Sequence, residues 1–68
     1  MTHYQHSMKW IDAMFKRYFA TKMPLKGIFE LIEAKRPAMT AVEGRAFNKA
    51  LREYRAAAFK AYPDRVKP

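Results

Sequence analysis

The sequence predicts an all-α domain of three helices, and three observations carry that reading. Apolar residues recur at helical spacing in three stretches, prolines at 24, 37 and 63 punctuate them, and nothing alternates with period two over a useful length. Helices are expected over residues 7–22, 24–36 and 40–62, joined by short tight connections with no sheet.

Each element has its own signals. Residues 1–6 are polar and are expected to fray, with Ser7 as the first helix's N-cap. Met8, Ile11, Met14, Phe15, Tyr18 and Phe19 then form one stripe, opposite Lys9, Lys16 and Arg17. Pro24 suits the first turn of the second helix, where its missing N–H costs nothing. Leu25, Ile28, Phe29 and Ile32 are that helix's apolar stripe, with Glu30 and Glu33 outside it. Pro37 stops the helix because the residue before a proline avoids the helical region, and Lys35 and Arg36 suit the dipole in its last turn. Thr40 and Glu43 form a capping box that opens the third helix. Gly44 is a poor helix residue, but in the first turn it costs little. Pro63 closes the helix, leaving 64–68 as a short tail and 7–63 as the single domain.

The third helix has two distinct faces. Ala46, Phe47, Ala50, Leu51, Tyr54, Ala57, Ala58, Ala61 and Tyr62 fall on one side of a helical wheel. Arg45, Lys49, Arg52, Arg55 and Lys60 fall on the other, together with Asn48 and Phe59. Only Glu53 supplies an acid between Arg45 and Lys60.

Composition limits the partners. A chain of 68 residues makes one domain of modest stability, and with no cysteine it has neither disulfides nor thiolate metal sites. The lack of cysteine fits a reducing compartment. Aromatics at 15% are too many for a disordered tail. A net charge of +8 favours a polyanion, either nucleic acid or an acidic protein surface. No apolar run approaches the roughly 20 residues of a spanning helix, and the N-terminus does not read as a secretory signal. A cytoplasmic protein with no membrane partner is the expectation.

Several segments, taken in order and spacing, resemble the ProQ/FinO family of bacterial RNA chaperones. Pro24-Leu25-Lys26-Gly27-Ile28-Phe29 is similar to the family's Pro-Leu-Lys-x-Gly-Ile-Phe, with one residue fewer. Ala50-Leu51-Arg52 followed by Tyr54 resembles its Ala-Leu-Arg-x-Tyr, at a matching interval. Phe15 to Phe19 resembles the aromatic end of its first helix, and Arg65-Val66 resembles an Arg-Val that opens its terminal hairpin. The family pattern continues into a β-hairpin and further helices, whereas this sequence ends at Pro68, so the likeness is to a minimal, C-terminally short version. The resemblance implies an elongated helical domain that binds structured RNA on a concave basic face. It implies recognition of a hairpin base and its single-stranded 3′ end, as in intrinsic terminators, with Lys26 and Arg65 on phosphates.

Each candidate residue also has a plainer reading. Charged helix stripes such as Arg45, Lys49, Arg52, Arg55 and Lys60 are usually just solvated faces. Here the scarcity of acid leaves self-repulsion that a polyanion would relieve. Phe59 at the edge of that stripe either packs under a neighbouring segment, such as the C-terminal tail, or stacks on an unpaired base. Trp10 and the methionines read as core or core-edge residues. His3 and His6 lack a third ligand, so no metal is expected. No nucleophile–base–orienter set and no glycine-rich phosphate loop appears, so neither catalysis nor a cofactor is expected.

RNA binding through the basic face is the leading expectation. The alternative is a small phage- or plasmid-type interaction module or inhibitor whose basic face engages an acidic or nucleic-acid-binding partner. A helix-turn-helix DNA-binding protein is the third reading.

Overall fold

A computed structural model describes residues 1–66 as three α-helices: α1 (His3–Phe19), α2 (Leu25–Ala34) and α3 (Ala41–Ala61). A 3₁₀ turn follows at Pro63–Arg65. The all-α expectation holds, with no strand among the described residues. The expected tail, 64–68, begins inside that turn, and its last two positions lie outside the described residues.

The largest correction is at the N-terminus, where α1 begins at His3 instead of at Ser7. Thr2 is the N-cap of α1, its Oγ1 accepting the Gln5 N–H at 3.1 Å. Gln5 Oε1 accepts the Thr2 N–H in return at 2.9 Å, a capping box with glutamine in the third position. Ser7 therefore lies inside the helix, buried, and caps nothing. Tyr4 adds a long-range tie by donating its hydroxyl to Glu53 on α3.

The other boundaries move inward. α1 ends at Phe19, where Thr21 turns its hydroxyl back onto the Tyr18 carbonyl at 2.6 Å. Lys22 then takes a left-handed φ of 63°. Pro24 stands at the N-cap of α2, one position before the first turn, and its carbonyl accepts the Ile28 N–H. α2 ends at Ala34, because Lys35 (φ −98°, ψ 9°) has already left helical geometry ahead of Pro37. The capping box of α3 forms as expected, with Thr40 Oγ1 accepting from Glu43 N–H and Glu43 Oε1 from Thr40 N–H.

The core draws on all three stripes: Ile11 and Phe15 from α1, Leu25, Ile28, Phe29 and Ile32 from α2, and Phe47, Ala50, Leu51 and Ala58 from α3. Phe15 is its aromatic centre, with Phe19, Tyr54 and Phe29 ring centroids 5.2, 5.3 and 5.7 Å away. Tyr54 also donates to Asp12 at 2.6 Å, tying α3 to α1. Ala57 and Ala61, expected on the buried face, are exposed, while Tyr62, partly exposed, packs its ring 4.7 Å from Phe19 at the end of α1.

α3 packs chiefly on α1 and only lightly on α2. Ala50 and Ala58 are small enough for α3 to lie close to its neighbours. The lighter α2–α3 contact leaves a groove between those helices.

Candidate nucleic-acid interface

Arg45, Lys49, Arg52, Arg55 and Lys60 are all exposed along α3. Among the described residues none of them lies within 4.0 Å of a carboxylate, since the ion pairs are Lys16–Asp12 and Arg36–Glu33. From Arg45 to Lys60 the helix advances about 22 Å. Glu53, the one acid within that span, accepts the Tyr4 hydroxyl.

Two of the five are partly positioned. The Arg55 guanidinium lies 4.9 Å over the Phe59 ring, and the Lys49 ammonium 5.5 Å over the Tyr4 ring. Such cation–π contacts orient a cation while leaving N–H donors for an outside acceptor.

The structure brings Lys26 to the same region. It shares the wall of the α2–α3 groove with Phe29, Glu30, Glu33, Leu51 and Arg55. The groove continues past Asn48, Arg52 and Phe59. The concave surface is therefore of mixed charge, and the predominantly basic part is the outer side of α3.

Two residues take partners that the sequence did not name. Phe59 is half-buried and packs on α2, its ring 6.2 Å from Phe29 rather than under the C-terminal tail. With Phe29 against it and Arg55 over it, the ring is already occupied as a stacking platform. Arg65 is drawn onto the end of α1. It donates to the Phe19 and Met23 carbonyls at 2.8 and 3.2 Å, with its guanidinium 4.0 Å over Phe19.

Arg36, read from the sequence only as a dipole-matched cation, is the residue that ties the end of α2 to the first turns of α3. Its Nη1 donates to Asn48 Oδ1 at 2.7 Å, its Nη2 to the Gly44 carbonyl at 3.3 Å, and it lies 4.7 Å over Phe47. A Cβ at position 44 would stand 3.1 Å from Nη2, so Gly44 leaves room for this clasp. That glycine inside a helix was the available signal.

Titration follows the same contacts. The Tyr54 hydrogen bond, then Lys16, holds Asp12 below the usual carboxylate range. Burial and that same bond push the Tyr54 phenol up, away from any use as a base near neutrality. The Thr40 amide lowers Glu43. No cluster of three metal-ligating side chains occurs, and no helix is long and apolar enough to cross a membrane, among the described residues.

Fold and site together define a small three-helix domain with a cationic helix face. No family model matches the sequence, and neither curated proteins nor solved structures give a significant match.

Proposed function

We propose that this chain is a cytoplasmic RNA-binding protein of the ProQ/FinO kind, acting without catalysis on structured RNA such as a terminator-type hairpin. The observation that carries the reading is the row of five exposed α3 cations without carboxylate partners. A rigid helix of about 22 Å spans several phosphates, and the shallow minor groove of A-form RNA is recognised by shape and charge. Glu30 and Glu33 line the α2–α3 groove, so a phosphate backbone follows the outer side of α3, with Lys26 and Arg55 at the groove's edge. The motif order from Lys26 to Tyr54 supports the same partner class and the preference for a hairpin base and 3′ end.

Electrophoretic shifts with a terminator-type hairpin, against random single strands of equal length, test the proposal. The hairpin should bind more tightly, and Arg52→Glu should weaken it and flatten the log Kd–log salt slope by about 1. Equal affinity for both RNAs, or an unchanged Arg52→Glu slope, rejects it. The mixed-charge groove favours a second reading, docking of a protein segment, which copurification of a protein after nuclease treatment would support.

A further inference from the structure

A second concavity lies away from the basic face, where the N-terminal half of α1 meets the α2–α3 connection. It has a volume of about 350 Å³ and is lined by Trp10, Phe47, Met39, His3, His6 and Glu43, among others. That size falls at the small end of the roughly 300–1,000 Å³ common for ligand clefts. Trp10 is only half-buried there, held against Phe47 at 5.7 Å, so aromatic surface borders open space.

Charge narrows the occupant. Glu43 is ionised at neutral pH, and its carboxylate repels an anionic group inside the cleft. A chain of net charge +8 likewise repels a basic ligand. What remains is a neutral planar group that stacks on an aromatic and donates a hydrogen bond to a carboxylate. Glu43 Oε1 already accepts the Thr40 N–H, which anchors the carboxylate in place.

We propose that this cleft receives one unpaired nucleobase bearing an exocyclic amino group, stacked on Trp10 and donating to the Glu43 carboxylate. The site is separate from the α3 face and rests on that reading only for the class of partner. Stacking on an aromatic tolerates any base, whereas a carboxylate acceptor favours amino-bearing bases, as it does for cytosine N4. Adenine and cytosine therefore bind better than uracil.

Trp10 is the only tryptophan, so its emission reports directly on the cleft. The full chain is titrated with hexaadenylate, hexacytidylate, hexauridylate and an abasic hexamer of equal charge. The adenine and cytosine oligomers are expected to quench Trp10 saturably. The abasic oligomer should bind roughly tenfold more weakly, within the range lost with one stacked base, and without quenching. Glu43→Gln keeps the capping box, since glutamine serves in that position, and should erase the preference over uracil while retaining the quench. Equal quenching by the abasic hexamer, or no quenching by any oligomer, overturns the proposal. An unchanged base preference in Glu43→Gln overturns the role of the carboxylate. Hairpin binding and its salt slope, measured on the same samples, report on the α3 face separately. A hairpin that binds normally while no hexamer quenches sinks the cleft and leaves the α3 reading intact. Quenching without salt-dependent hairpin binding does the reverse.

Discussion

Replacing Arg36 by methionine removes a cation while keeping an apolar stem against Phe47. In the folded chain Arg36 donates to Asn48 and Gly44, lies over Phe47, and stands 3.7 Å from Glu33. Its side chain is only 27% exposed, whereas Glu33 is 57% exposed, so the ion pair contributes little. A charged hydrogen bond contributes about 1.5–3 kcal/mol, and a cation over a ring at a partly wet site about 0.5–1 kcal/mol. Asn48 is exposed and can rebond to water, which places the net loss near 2 kcal/mol. A domain this small has roughly 3–10 kcal/mol in all, so the change is large. Thermal unfolding followed by circular dichroism should show Tm falling by roughly 8–16 °C. A cycle with Asn48→Ala should give a coupling of about 1 kcal/mol. A fall below about 3 °C, or no coupling, would refute the idea that this clasp holds α3 to the end of α2.

Further outcomes follow from individual contacts. Asp12 is held low by Tyr54 and Lys16, so its contribution is present above the ordinary aspartate value near pH 4 and is lost as pH falls through its lowered folded value. Tyr54 is raised by burial, so its contribution is present below pH ~10 and lost on going more alkaline. Denaturant midpoints across pH should show both limbs, and Tyr54→Phe should flatten both; identical limbs in the variant would reject the assignment. Lys22 holds a left-handed φ, so Lys22→Gly should raise stability by up to about 1 kcal/mol, and a lower chemical-denaturation midpoint would contradict this. Thr2→Ala should cost about 1 kcal/mol and speed amide exchange at Gln5; unchanged protection there would mean that the cap does not hold the first turn.

What was legible depended on how local the signal was. Thr40 and Glu43 lie three apart, so the start of α3 needed no tertiary information, and Pro37 marked the end of α2 nearly as directly. Thr2 and Gln5 have the same spacing, but polar neighbours and a terminal position masked them. That first turn is also tied down by the Tyr4–Glu53 contact across 49 positions of sequence, which no local spacing announces. The helical wheel separated the faces of α3 because amphipathicity is a property of one helix. It mis-assigned Ala57 and Ala61, because a wheel gives each residue's direction and not which directions the neighbouring helices cover. Arg36, Arg65 and Phe59 each chose a partner on another element, and no spacing rule anticipates a guanidinium folding back onto Phe47 or Phe19.

The same contacts explain why the face of α3 stays so strongly cationic. The chain has six carboxylates against fourteen cations. Asp12 is engaged by Tyr54 and Lys16, Glu33 faces Arg36, Glu43 closes a helix cap, and Glu53 accepts from Tyr4. Much of the acid is thus committed to holding helices together, which leaves the α3 cations without an ion-pair partner within 4.0 Å among the described residues. Five like charges along about 22 Å oppose folding through mutual repulsion, and that repulsion weakens with added salt. A bound phosphate backbone would remove it more completely than salt can. Binding and stability are then linked: whatever polyanion α3 accepts should raise Tm by more than the same charge supplied as free phosphate. Equal stabilisation by both would reduce the face to a solvated stripe.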